Sequence, residues 1–213
     1  MRYGTLVAVI LAACAIPREE SPPPGENGAP PAATTAADTA VPQAQVRGIL
    51  QWSDLGVRML GRGGDPGLQI DVTTIADQAV ALSADDVREY FRDVKKRIPE
   101  AVPAREVSEL LPFLVGYTGL EKEVSFDPTR LEIRSEGSTY YPRYIVPVSP
   151  MFDRRVVDLH QTVYAIYLFE DEIDLNATLE FRYADLSSGT AWRQVVERIQ
   201  RAKNRLEGEE RGR

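Results

Sequence analysis

The sequence predicts a mainly β domain with helical additions, a β-sandwich carrying an inserted helix at about 83–98 and a C-terminal helix at about 190–206. Three observations predict it. Short apolar stretches with strand patterning recur from Val46 to Tyr183, several in strict alternation. Turn residues separate them roughly every eight to twelve positions, the spacing of an all-β sandwich. Two segments repeat their apolar residues at helical spacing.

Val46–Trp52 and Val57–Leu60 are short apolar runs that read as strands. Gly61-Arg62-Gly63-Gly64-Asp65-Pro66-Gly67 is a turn built from chain-breaking residues. It lacks the Lys-Ser/Thr ending of a phosphate-binding loop, so a hairpin turn is the expectation. Leu68, Ile70 and Val72 alternate with polar residues and face a core. Ser83 and Asp86 stand at capping-box spacing and open a helix. Val87, Tyr90, Phe91, Val94 and Ile98 form its apolar stripe, and Pro99 is expected to stop it. Its basic residues lie mostly off the stripe and read as a solvated face that complements the helix dipole.

From Leu110 the pattern is one of consecutive strands. Phe113–Tyr117, Glu123–Phe126 and Arg130–Arg134 are separated by Gly119 and by Asp127-Pro128-Thr129. After the turn Ser135-Glu136-Gly137-Ser138, Tyr140–Pro142 and Tyr144–Val148 read as an irregular edge, because proline lacks a ladder donor. Val163–Phe169 is apolar at every position and is expected to be a central strand. Leu179, Phe181 and Tyr183 point inward from the next. Trp192, Val195, Val196, Ile199 and Leu206 make the stripe of the last helix, and residues 207–213 read as a charged tail.

The stretch from Phe113 to Pro142, with its apolar strand, Asp-Pro turn and strand ending in Gly and Tyr, resembles immunoglobulin-like domains of bacterial lipoproteins. The resemblance implies an immunoglobulin-like β-sandwich as the finer fold. Cores of this kind carry many unrelated functions, so the fold argues no activity.

The N-terminal segment is organised differently. Arg2 supplies a positive charge, Leu6–Leu11 an apolar core, and Ala12 and Ala13 the small residues of a cleavage site. The apolar run is far below the ~18–20 residues of a membrane span. Leu11-Ala12-Ala13-Cys14 resembles the bacterial lipoprotein lipobox and matches it at each position. The resemblance implies recognition of Leu11, Ala12 and Ala13 by a signal peptidase, cleavage after residue 13 and lipidation of Cys14. The acyl chains on Cys14 would be covalent lipid rather than a cofactor, and several chains anchor stably where one binds marginally. The family's sorting rule retains chains with Asp after the cysteine at the inner membrane. Ala15 therefore implies the outer membrane, facing the periplasm, in a Gram-negative envelope. Residues 14–45 are rich in proline and alanine, with Pro22-Pro23-Pro24 and Pro30-Pro31. Such a stretch is expected to be a disordered, extended tether. One domain, 46–206, follows.

The chemistry-bearing residues are few. The formal net charge of −7 disfavours nucleic acid, which needs a basic patch. No cysteine besides Cys14 exists to make a disulfide. His160, the one histidine, with Asp158 nearby, is the candidate for a hydrolase, but no Gly-x-Ser-x-Gly elbow accompanies it. No catalytic residue is assigned on this basis. Asp171, Asp174 and Asn176 form the densest set of oxygen ligands and are weak candidates for calcium, without the EF-hand order. No metal or cofactor is expected. Tyr140, Tyr141, Tyr144, Met151 and Phe152 cluster among prolines and are the candidate binding surface, since exposed aromatics anchor interfaces. The expectation is a non-catalytic, membrane-anchored envelope lipoprotein with an envelope protein as partner. The alternatives are an envelope hydrolase using His160 or carboxylates, and a calcium- or solute-binding module at 170–176.

Overall fold

A computed structural model describes residues 48–60 and 67–211. The signal segment 1–13, the tether 14–45, most of the Gly61–Gly67 turn and the last two residues lie outside them. The described chain is mainly β, with eleven strands in three antiparallel sheets, four short helices and one long C-terminal helix.

Sheet I contains β1 (Gly56–Leu60), β2 (Leu68–Thr74), β3 (Leu110–Gly119), β9 (Thr162–Glu170) and β7 (Tyr144–Pro147), in that order. Sheet II runs β11 (Leu186–Ser187), β10 (Glu180–Tyr183), β5 (Leu131–Ser135), β6 (Ser138–Tyr140). A two-stranded ribbon pairs β4 (Val124–Ser125) with β8 (Val156–Val157). Between β2 and β3 lie α1 (Asp77–Ala81), α2 (Asp85–Lys95), α3 (Ile98–Ala101) and α4 (Ala104–Val107), and α5 (Trp192–Arg211) closes the chain.

The inner face of sheet I packs on sheet II, giving a sandwich-like core. Val72, Val115 and Ala165 stand in one cross-strand row, and Ile70, Tyr117 and Val163 in the next. Leu131, Ile133, Phe181 and Tyr183 face them from sheet II. Trp192 of α5 is fully buried in the same cluster, 5.4 Å from Phe181 and 6.0 Å from Phe113 between ring centroids. A second apolar cluster lies on the outer face of sheet I. There Leu114, Ile166 and Leu168 pack with Val87, Phe91 and Val94 of α2. Sheet I is thus the middle of three layers. This explains why Val163–Phe169 is apolar throughout: its odd residues face sheet II and Ile166 and Leu168 face the helices.

The sequence-based boundaries need several corrections. The strand expected at Val46–Trp52 is absent from its described part: Leu50 makes a single bridge to Ser83, and Trp52–Asp54 is a 3-10 turn. Ser83 does not cap α2. Its hydroxyl donates back to the Ala79 carbonyl at 2.8 Å, and Ala84 holds the cap position without a side-chain bond. Pro99 does not end α2, which stops at Lys95; it sits in the first turn of α3, where its missing N–H costs nothing. The C-terminal helix continues through Arg211, so most of the stretch read as a tail is helical, supported by an Arg205–Glu209 pair one turn apart.

Candidate functional site

The helical segment covers only part of the outer face of sheet I, and a step forms where it ends. One cross-strand row crosses this step. Arg58 of β1 pairs with Asp71 of β2, Asp71 with Gly116 of β3, and Gly116 with Tyr164 of β9. All four face away from sheet II because they alternate with the inward residues Val57, Val72, Val115 and Ala165. Trp52, carried by the 3-10 turn just before β1, walls the step. Its ring stands 5.0 Å from both Tyr90 and Phe91 and 6.3 Å from Tyr164. The result is a cleft of about 640 Å³ lined by Trp52, Ser53, Arg58, Asp71, Gly116 and Tyr164, among others. That volume lies within the ~300–1,000 Å³ of small-molecule sites.

Gly116 makes the floor. A Cβ there would stand 2.8 Å from Cε1 of Tyr164, so glycine lets the edge of that ring approach the β3 backbone closely. The polar wall is preorganised. Asp71 accepts from Arg58 Nε at 2.7 Å and from Gln69 Nε2 at 2.6 Å. Arg58 remains 61% exposed, which keeps its terminal nitrogens in the opening. Burial raises the Tyr90 and Tyr164 hydroxyl pKa values above the ordinary phenol value, with further upward contributions from Tyr164 on Tyr90 and from Asp71 on Tyr164. Both rings are therefore neutral and able to donate at physiological pH.

The candidate binding segment from Tyr140 to Phe152 is divided among different environments. Phe152 is buried in the sandwich core, 5.4 Å from Phe126 and 6.1 Å from Tyr117. Met151 and Tyr140 pack against the same cluster. Tyr144 donates to Glu106 Oε2 at 2.7 Å, next to an Arg143–Glu106 ion pair of 3.0 Å. Tyr141 alone is open, 63% exposed on the link between β6 and β7.

His160 is exposed in a left-handed turn with φ of 61°, its backbone N–H donating to the Gly119 carbonyl at 2.8 Å. The Asp158 carboxylate accepts from the Glu123 N–H at 3.3 Å, and no hydrogen bond joins it to the His160 ring among the described residues. Asp174 accepts from the backbone and side-chain nitrogens of Asn176 at 2.8 and 3.0 Å, closing a local turn, while Asp171 is exposed. Among the described residues no three His, Cys, Asp or Glu side chains are grouped to hold a metal. No described helix is long and apolar enough to cross a membrane. Cys14 and Leu11–Ala13 lie outside the described residues.

The cleft residues escape a linear reading. Trp52 reads as the end of a strand, and Tyr164 as one apolar position among seven. The one signal is the lone Gly116 inside a strand pattern, a mark of close approach. Its meaning depends on the register that sets Tyr164 opposite it. No protein-family model matches the chain, and neither a curated protein nor a solved structure matches it.

Proposed function

We propose that the chain is a lipid-anchored bacterial envelope protein, non-catalytic, whose β domain binds another envelope protein at the outer membrane, facing the periplasm. The observation that carries the reading is Leu11-Ala12-Ala13-Cys14 followed at once by the proline- and alanine-rich stretch to residue 45. A hydrophobic foot joined to an extended spacer suits a domain held off a membrane surface. The partner surface in this reading is the link from β6 to β7. These two strands are consecutive in the chain and lie at the edges of different sheets. Edge strands offer unpaired backbone groups for strand addition, and Tyr141 stands exposed between them. The finer fold in the same proposal is an immunoglobulin-like sandwich. It is supported by two packed antiparallel sheets between which the chain crosses after β3, after β6 and after β9.

Two experiments test this. Cys14→Ser should move the protein from the membrane fraction to the soluble fraction with its circular dichroism unchanged. Retention of the variant in the membrane would refute the anchor. A photo-crosslinking residue at Tyr141 in intact cells should capture an envelope protein; capture of lipid alone would refute the partner surface.

A further inference from the structure

We propose that the cleft over Gly116 is a saccharide-binding site. The inference is independent of the partner surface at Tyr141. The cleft combines two features that few ligands satisfy together. Trp52 and Tyr164 present aromatic rings, which favour a flat apolar face of C–H groups. Opposite them, Arg58 presents the donors that Asp71 leaves free, Asp71 the lone pairs not taken by Arg58 and Gln69, and Ser53 a hydroxyl. A pyranose ring carries both complements: an apolar face of axial hydrogens and a rim of equatorial hydroxyls.

Charge narrows the choice further. Arg58 and Asp71 are joined at 2.7 Å, so the pair has no net charge to offer an anion or a cation. A phosphate on the terminal nitrogens of Arg58 would stand beside the Asp71 carboxylate and be repelled by it, and an ammonium would have to compete with Arg58 and Gln69 for Asp71. A purely apolar ligand would desolvate both groups without replacing their water contacts, which is costly. A neutral, hydroxyl-rich ligand avoids all three penalties. The floor agrees with this. Gly116 leaves room for the Tyr164 ring at the opening, and the bond from Gln69 fixes the second carboxylate oxygen of Asp71.

The test is titration of the full chain with chitotetraose and, separately, maltotetraose, followed by tryptophan emission and calorimetry. Trp192 is fully buried in the other cluster, with its indole N–H bonded to the Leu175 carbonyl at 2.9 Å, so an emission change reports Trp52. We expect at least one tetrasaccharide to shift the emission and release heat. Asp71→Ala and Gly116→Ala should each weaken that binding about tenfold, the size of one lost polar or packing contact. The first removes the carboxylate acceptor, and the second displaces the Tyr164 ring. Folding of both variants is checked by circular dichroism, and Arg58→Ala, at an exposed position, serves as a third variant should either fail to fold. An amino-sugar preference would indicate a cell-wall type of glycan, and a glucan preference a storage or capsular type. Absence of heat and emission change with both sugars at millimolar concentration would overturn the proposal. So would binding that is unchanged in the variants, or capture of a protein by a photo-crosslinker placed at Arg58.

Discussion

Inside the sandwich, two tyrosines resolve a polar problem that the apolar pattern hides. Tyr167 donates to the Pro128 carbonyl at 2.9 Å, so its 2.6 Å contact with Tyr117 requires the Tyr117 hydroxyl to be the donor. Tyr167→Phe removes both an acceptor for Tyr117 and the donor to Pro128. It should lower stability by about 1–3 kcal/mol, more than Tyr117→Phe, which leaves the bond to Pro128 in place. Urea midpoints of the two variants check the order. Burial raises both hydroxyl pKa values far above the ordinary phenol value of 10.0. The fold thus favours the neutral forms, and their contribution is complete below pH 10 and falls as pH rises above it. Stability measured from pH 8 upward should therefore decline beyond about pH 10, less steeply in a Tyr117→Phe, Tyr167→Phe double variant. Glu106 works in the opposite sense. The hydrogen bond from Tyr144, then the charges of Arg143 and Arg105, hold its carboxyl below the ordinary 4.5. Its stabilisation is present above pH 4.5 and is lost as acid protonates it. Glu106→Gln should be less stable than wild type at pH 7, and the gap should close on acidification; a gap independent of pH would sink the assignment.

The elements show where local patterns are reliable. β2, β3, β5, β9 and β10 sit close to where alternation or continuous apolarity places them, because side-chain direction in a strand depends only on neighbouring residues. The edge character of Tyr140–Val148 was also legible from its prolines: β6 and β7 are the edges of their sheets. The segment after β2 was less legible. One expected helix is instead the longest of four, because Ser83 bonds backward into α1 and because Pro99 and Pro103 start new helical turns. The C-terminus of β3 carries a sharper constraint. A Cβ on Gly119 would lie 2.3 Å from the Asp158 carbonyl oxygen, a backbone atom that cannot swing aside. Gly119→Ala should cost about 1–3 kcal/mol by thermal or urea unfolding. Gly116→Ala, whose Cβ meets only side-chain atoms of Tyr164 and Thr162, should cost less; equal costs would contradict this reading of the two glycines.

At the scale of the molecule, sheet I is shared by both apolar clusters, and this ties the layers together. Trp192 joins α5 to the sandwich cluster, and Trp52 packs on α2 in the helical cluster. Arg198 of α5 also reaches the Asp54 carbonyl beside Trp52 at 3.1 Å. We therefore expect one cooperative transition. In Trp52→Phe and Trp192→Phe, which each retain a single tryptophan, emission should change at the same denaturant concentration as the far-ultraviolet circular dichroism of that variant. A Trp52 signal that is lost earlier would mean that the helical layer unfolds separately.

By itself the sequence determined the mainly β class, most strand positions, the C-terminal helix and the expectation of a lipidated, tethered N-terminus. These depend on residues adjacent or one helical turn apart, where periodicity and short motifs carry the information. The tertiary structure alone decided which aromatics are free. It buries Phe152, engages Tyr144 with Glu106 and leaves Tyr141 open. It alone made the cleft, because Arg58, Asp71, Gly116 and Tyr164 come from four strands and form one row only through inter-strand register. Register is set by the match of buried faces across the whole sheet, a property that no single segment contains.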